Sequence, residues 1–511
     1  MSKRAIESDS HMNDVEMGDV SVQENVNQND QSQAKRPFNN NAGNEEIGEF
    51  EDIWEDELES EDEIEEDDFD VEESEMNTAE TSMQDEIEDQ VEEEDLPEKV
   101  YLPGDQLDEG EVLQVDNSAY QMLHNLNVNW PCLSFDFFID ELGVNRNKFP
   151  HTMALFTGSQ ANEAHKNEVT LMKISNLHRT INDDKLAEDN EELDEDENDL
   201  DEDPILETRT MKHRGGVNRV RVTKTRDSIL GATWSDEGCV FIWNLKDQLK
   251  SLEVPGFKAT TKKPVYTVQS HPCEGFALDW QQDKRLISGD CDRSIYLTNV
   301  RADGGFTVEK TPFSGHKSSI EDLQWSPEEQ SVFASCSSDK SIRIWDIRQK
   351  QHTCAISVPN AHRNDVNVMS WNPTSRFLLA SGDDDGLFSV WDLRNFKAKP
   401  VSPVATFDWH KKPITSIEWH PQDDSVLAVS GADDQLTIWD LSVELDSEEI
   451  KAQSNMFYDA KNNIQRAVPP QLLFIHQGQS DIKEVHWNSQ IPGSLVSTAL
   501  NGFNIFKTIS V

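Results

Sequence analysis

The chain has 511 residues, room for several domains or for one large all-β domain with tails, and its formal net charge is −54. A charge of that sign repels phosphate backbones, so direct nucleic-acid binding is not expected, and no 18-residue apolar run exists to span a membrane. The six cysteines are scattered without a CxxC pair, and "HPC" (271–273) and "HTC" (352–354) lack the second cluster a closed zinc site requires. They read as reduced, mostly buried thiols, with no metal or other cofactor expected.

From the N-terminus, residues 1–44 are rich in Asn, Gln, Ser and Asp, and residues 45–95 carry 29 Asp and Glu with no Lys or Arg. The start lacks the apolar core of a signal peptide, so secretion is not expected. Neither stretch can bury enough apolar surface to offset the entropy of ordering, so 1–96 is expected to be a disordered tail. Phe50, Ile53, Trp54, Leu58, Ile64 and Phe69 are interleaved among the carboxylates. That pattern suits a segment that docks on something basic and partly apolar, and equally a plain solubilising tail.

At residue 97 an ordered region is expected to begin. The stretch 101–138 holds one expected helix, with Asp116 or Asn117 as N-cap and Tyr120, Leu123 and Leu126 on one face at three-residue spacing. Residues 183–203 carry 14 more acids with Lys185 as the only base, and read as an acidic loop insertion. With both acid runs set aside, 56 acids face 44 bases, the balance of an ordinary folded domain. Downstream, "VFASCSS", "SIRIWDI", "LLASG", "LFSVWDL", "VLAVSG" and "LTIWDL" are short strands of period-two character separated by turn residues. The body is all-β.

A repeat organises those strands. Trp345, Trp391 and Trp439 each end a strand, each is followed by Asp, and each lies 29 residues after a His: His316, His362 and His410. Looser copies run from His213 to Trp243, from His271 to Thr298 and from His476 to Phe506. A unit of about 40–45 residues with an early His and a late Trp-Asp resembles the WD repeat, four strands forming one propeller blade. Six copies are readable and 117–212 reads as a degenerate first copy with His124 in the early position, which makes seven blades. The ring must be closed by a segment from one terminus, either 111–116 or a later stretch.

His316, Ser335 and Asp339 are the residue set of a serine hydrolase. The resemblance to WD repeats implies a duller role, a buried hydrogen-bonded tetrad His316–Ser335–Asp339–Trp345, repeated as His362–Ser381–Asp385–Trp391 and His410–Ser430–Asp434–Trp439. A nucleophile is needed once per site, a structural pin once per blade. No enzyme is expected.

Two segments narrow the family. "YLPG…GE.L..D..AY" with "PCLSFD" near the start, and "PPQLLFIH" (469–476) after a long connection (441–470), resemble the histone-binding WD-repeat chaperones of the retinoblastoma-associated type. With the acid run ahead of them they look closer to the glutamate-rich WD-repeat proteins of ribosome assembly. That resemblance covers roughly 97–511. It implies a monomeric, dedicated chaperone that binds a newly made basic large-subunit ribosomal protein (the L-three type) and escorts it to the nucleus and nucleolus. Two polyanionic segments suit such a partner by standing in for RNA phosphate and speeding capture. Histones, equally basic, are the nearest alternative partner. A cullin-ligase substrate receptor is another reading, because "WDIR" and "WDLR" place Arg348 and Arg394 in a WDxR signature.

A groove between the expected helix and the 441–470 connection is the first candidate docking site. Tyr120, Leu123 and Phe474 would form its apolar wall, and Asp446, Glu448 and Glu449 its charged rim. The same apolar residues also read as mere packing of the helix onto its blade. The rival site is a set of Asp-rich turns around Asp290, Asp383, Asp384 and Asp433.

Overall fold

Short apolar runs closed off by Gly, Asp and Ser turns become strands, and in the computed structural model they assemble into seven antiparallel blade sheets, six four-stranded and one five-stranded. The structure describes residues 115–180, 203–225, 228–281, 285–443 and 468–510, with backbone alone at 458–459 and 464–465. The tail read over 1–96, nearly all of the 183–203 insertion, and Asp446, Glu448 and Glu449 lie outside the described residues.

Blade 1 runs Cys132–Phe137, His151–Ser159, Glu168–Leu177 and Ile205–Lys212, and blade 2 Val217–Lys224, Ile229–Ser235, Val240–Asn244 and Tyr266–Val268. Blade 3 is Ala277–Gln281, Arg285–Gly289, Ser294–Val300 and Phe306–Val308, with Phe313–Ser314 pairing on its third strand. Blade 4 is Ile320–Trp325, Val332–Ser337, Ile342–Asp346 and Cys354–Val358; blade 5 is Val366–Trp371, Leu378–Asp383, Leu387–Asp392 and Ala405–Asp408. Blade 6 is Ile414–Trp419, Val426–Gly431, Leu436–Asp440 and Leu472–His476. Blade 7 takes Glu484–Trp487, Ser494–Ala499 and Gly502–Thr508 from the C-terminal end, and its outer strand, Tyr120–Leu126, from the N-terminal side. The inner strands touch in sequence around the ring, and that of blade 7 meets that of blade 1. The fold is a seven-bladed WD-repeat β-propeller.

The helix expected over Tyr120–Leu126 is therefore a strand. Among the described residues a 3-10 turn, Asn117–Ala119, precedes it, with the Asp116 carboxylate accepting from the Ser118 backbone N–H at 2.9 Å. Three-residue spacing suits a helix, but the fully inward pair is Tyr120 and Met122, two apart, and the ladder offered by Gly502–Thr508 overrides the local pattern. The one α-helix among the described residues, α1 (Lys246–Glu253), sits between the third and outer strands of blade 2. His124 belongs to the closing strand, its Nε2 3.0 Å from the His178 carbonyl, and blade 1 begins at Cys132.

Blades are held to one another by polar clasps between inner strands. In blades 1, 2, 4 and 6 the inner strand has a register shift just before Ser134, Arg219, Asp322 or Ser416. A bulge of this kind re-aims the next side chain, and each of these four reaches the neighbouring blade's backbone. Ser134 Oγ accepts from Val220 N–H (2.9 Å), Arg219 Nε donates to the Phe276 carbonyl (2.7 Å), Asp322 accepts from Met369 N–H (3.1 Å) and Ser416 from Val485 N–H (3.3 Å). Asp279 binds Trp325 N–H (2.7 Å), Ser370 binds Trp419 N–H (3.4 Å), and Glu484 binds Phe135 N–H (2.9 Å), so all seven junctions are bridged. Between the sheets lie the large side chains, with Trp234, Trp243, Trp345, Trp391, Trp419 and Trp439 fully buried.

Candidate functional site

In blade 4 the late Trp, the second-strand Ser, the early His and the turn Asp form one chain of hydrogen bonds. Trp345 Nε1 donates to Ser335 Oγ (2.7 Å), Ser335 Oγ lies 2.6 Å from His316 Nε2, and His316 Nδ1 is 3.0 Å from Asp339 Oδ2. Burial holds the His316 imidazole neutral, below its ordinary pKa. Asp339 stays ionised well below the usual carboxylate range: against its burial, it accepts hydrogen bonds from His316 and Ser341. The order of contacts matches that of a serine hydrolase, but Ser335 and Trp345 are both fully buried. With the indole on one side of the hydroxyl and the imidazole on the other, no carbonyl carbon can approach it.

Blades 5 and 6 use different acids from those the spacing suggested. His362 Nδ1 meets Asp383 (2.9 Å), not Asp385, while Nε2 meets Ser381 (2.7 Å) and Trp391 donates to Ser381 (2.8 Å). Asp383 ends the second strand fully buried, so its carboxylate must be paired inside; Asp385 is exposed and accepts from Asn364. In blade 6, His410 Nδ1 meets Asp433 (2.9 Å), and Nε2 meets Thr437 (3.0 Å), which accepts from Trp439 (2.8 Å). Asp434 occupies the left-handed turn position (φ 66°) and faces away to accept from Asp481 N–H, while Ser430 bonds Thr415.

Three other blades vary the theme. His271 meets Asp290 (2.8 Å) and Ser288 (2.7 Å), but Thr298 replaces the Trp and its buried Oγ1 has no partner among the described residues. His213 donates to the Gly215 carbonyl (2.8 Å) and meets Thr233 (3.0 Å), to which Trp243 donates (3.0 Å). In the closing blade, Asn504 Nδ2 lies 3.1 Å from His476 Nε2, and Tyr120 Oη lies 2.8 Å from His476 Nδ1. The phenol replaces the Asp. The imidazole also stacks on Phe506, with centroids 4.2 Å apart.

These placements rearrange the docking candidates. Asp290 and Asp383 are fully buried, and Asp433 is tied to His410, so those acids are engaged inside the blades. Asp384 remains half-buried with Asn367 donating to it at 2.7 Å. Tyr120 is buried, and Leu123 and Phe474 pack half-buried against the same core, the Phe474 ring edge-on to Tyr120 at 5.3 Å. Packing of the closing strand is what these three do. Close by, at the seam of blades 6 and 7, is an open cleft of about 340 Å³ lined by Asp423, Asp440, Val426, Leu473, Pro492 and Lys507. Asp440 is held below the usual carboxylate range, because against slight burial it accepts from Ser442 and Ser425. It ends the third strand of blade 6, where the 441–470 connection begins.

Sequence reading passed over the charged belt at the ring's centre. Glu484, 1% exposed, pairs with Arg219 (2.7 Å) and Arg221 (2.9 Å), and His486 Nδ1 lies 2.8 Å from Glu418. Against burial, Glu418 and Glu484 raise His486 to about 10, so it is an imidazolium at neutral pH. The signal was present as charges at alternate positions of "VNRVRV" and "KEVHW", which a search for repeat landmarks ignores. Arg348 and Arg394, the WDxR arginines, are exposed, and each folds back in a two-point pair on its own motif's Asp346 or Asp392. Among the described residues no group of three or more His, Cys, Asp and Glu could hold a metal ion.

A closed propeller whose polar interior is consumed by structural hydrogen bonds, and whose surface carries clefts and projecting loops, is a protein-interaction scaffold. Models of the WD repeat match 307–346, 353–392 and 401–440, and a model of the histone-binding protein RBBP4 and its counterpart in the CAF1 complex matches 110–178. The chain is 46% identical over 481 residues to "Ribosome assembly protein rrb1" of Schizosaccharomyces pombe, covering 91% of this chain and 94% of that protein. It is 50% identical over 422 residues to "Glutamate-rich WD repeat-containing protein 1" of Dictyostelium discoideum, covering 81% and 85%. Similarity to "Histone acetyltransferase type B subunit 2" of Aspergillus oryzae is 28% over 247 residues, covering 46% and 55%. The chain belongs to the glutamate-rich WD-repeat family and is related to the histone-binding WD-repeat proteins.

Proposed function

We propose that the protein is a non-enzymatic chaperone of ribosome assembly that binds a newly made basic protein of the large subunit, of the L-three type, and accompanies it to the nucleolus. The observation that carries this reading is the 46% identity, over nearly the whole length of both chains, to a relative named for ribosome assembly. The acid runs at 45–95 and 183–203 suit a cargo dense in Lys and Arg, attracting it at long range and substituting for the RNA it has yet to meet. The seam cleft with Asp423, Asp440 and Leu473 offers short-range contacts, with Phe474 behind it and Asp446, Glu448 and Glu449 in the connection that starts at its edge.

A second reading, histone chaperoning, is favoured by the histone-binding model matched over 110–178. Binding kinetics at several salt concentrations separate the two. Polyanion attraction is screened over ~8 Å at physiological salt, so deleting 45–95 is expected to slow association and flatten its salt dependence. Charge reversal at exposed Asp423 is expected to speed dissociation. If histones H3–H4 displace the ribosomal protein at physiological salt, the ribosome-assembly reading fails. If every basic protein binds equally and deletion of 45–95 abolishes all binding, there is no specific site.

A further inference from the structure

One corner of this acidic molecule gathers positive charge. Arg146 and Lys148 lie between the first two strands of blade 1, Arg179 just beyond its third strand, and Lys507 on the third strand of blade 7. Arg146 and Lys148 line a cavity of about 540 Å³ together with His151 and Thr152. Burial first, and then Lys507, Arg146 and Arg179, push the His151 pKa down to about 4, which places all three cations within electrostatic reach of the imidazole. Among the described residues these four cations have one carboxylate partner, Asp140, 3.0 Å from Arg146. The Arg179 guanidinium lies instead over the Phe149 ring at 5.1 Å.

The same corner holds unpaired polar atoms. His151 is 2% exposed, yet its Nε2 has no hydrogen-bond partner among the described residues, and the buried Arg146 Nε and His178 Nδ1 have none either. Buried donors and acceptors are nearly always paired, because leaving one unmade forfeits its hydration. Like charges gathered with a single carboxylate partner among the described residues carry a second cost. An anion in the cavity offsets the second cost directly and places an acceptor beside the buried His151 ring.

We propose that the cavity bounded by Arg146, Lys148 and His151, with Arg179 and Lys507 outside its lining but within electrostatic reach of His151, binds a phosphate-type oxyanion, borne on a phosphoserine or phosphothreonine of a partner or free in solution. Phosphate fits better than a carboxylate: it brings about −1.5 to −2 charges and three acceptor oxygens to a site with four cations and one existing carboxylate. A nucleic-acid backbone is disfavoured, since the whole chain at −54 repels an extended polyanion and the positive corner is local. The proposal is independent of the basic-cargo reading and goes beyond it, giving the scaffold a second, oppositely charged contact that responds to phosphorylation of a partner.

The test uses the full chain with histidine-selective isotope labelling. Three probes are titrated at fixed ionic strength: inorganic phosphate, a Ser/Gly-rich decapeptide with one phosphoserine, and a single-stranded RNA decamer. Phosphate and phosphopeptide are expected to shift the His151 ring resonances saturably, while the unphosphorylated peptide does not. Lys148 and Arg179 are exposed, so K148E/R179E is expected to keep the wild-type melting temperature. That variant should bind the phosphorylated probes at least about tenfold more weakly, the loss of a charge-assisted hydrogen bond. A phosphopeptide that outbinds phosphate identifies a protein-borne ligand, and equal affinities identify a small anion; both uphold the site. The proposal is overturned if His151 does not respond to either phosphorylated probe, if the variant binds like the wild type, or if RNA binds most tightly.

Discussion

Blade 4 and blade 7 perform the same structural task with parts from different places in the chain. In blade 4, four residues within thirty positions of one another, His316 to Trp345, make an unbroken chain of hydrogen bonds. In blade 7 the imidazole of His476 is held by Asn504 and by Tyr120, whose phenol arrives from the other end of the sequence, 356 residues away. A local pin secures a blade that is already continuous. The phenol of Tyr120 secures the ring itself, because it sits on the strand that joins the two ends. The difference teaches that a blade's apparent degeneracy can mark where closure occurs, the missing acid being replaced by the closing strand.

That contrast can be broken most forcefully at Tyr120. Tyr120→Ala removes a buried aromatic and leaves His476 half-partnered, and is expected to cost about 3–5 kcal/mol in denaturant titration. Tyr120→Phe keeps the packing and isolates the hydrogen bond, so its cost should be clearly smaller; equal costs would show that the phenol–imidazole contact is the whole effect. Next in size is a pH dependence to which buried histidines contribute, His476 and His486 of the closing blade among them. Burial lowers His476 to about 4, so the unfolded chain takes up the proton first and stability is lost as pH falls from about 6.5 toward 4. His486 is raised to about 10, so its contribution is complete below about 6.5 and is lost as pH rises through 10. Each of these two histidines should contribute roughly 2–4 kcal/mol, read as urea midpoints across the range, and His486→Leu should flatten the alkaline limb alone.

In blade 4, Asp339→Ala leaves His316 and the Lys317 N–H without their acceptor, and is expected to cost about 1–3 kcal/mol. A larger loss there than at Tyr120 would reverse the comparison. The smallest effect concerns blade 3. Thr298→Val removes a buried hydroxyl that has no partner among the described residues while keeping a β-branched side chain, so stability should rise by about 1 kcal/mol or less. A fall in melting temperature would show that the hydroxyl is satisfied after all.

The propeller was legible because a tryptophan column repeats: Trp345, Trp391 and Trp439 are far apart in sequence and identical in role. Which acid completes each pin was less legible, since "GDDD" at 382–385 offers three carboxylates and only burial selects Asp383. Thr437 replaced Ser430 for a similar reason, a hydroxyl two residues before the indole serving as well as one on the strand beside it. The closing strand was misread because its partner lies hundreds of residues downstream, and a short amphipathic run carries no record of a non-local ladder. The surroundings of the Asp-rich turns were illegible on the same account. Acids that look exposed in a turn, such as Asp290 and Asp433, were already engaged by histidines one strand away.

The shared blade has a consequence for synthesis. Tyr120–Leu126 leaves the ribosome hundreds of residues before the strand it pairs with, Gly502–Thr508. For the whole of that interval its hydrogen-bonding edge and its apolar side chains wait for a partner, the condition under which nascent strands are most prone to wrong pairing. Six blades can form as they emerge; the seventh cannot exist until Gly502–Thr508 has been made. A chain that lost Gly502–Thr508 would keep most of its repeats, lose its closure, and leave Tyr120–Leu126 without its partner strand.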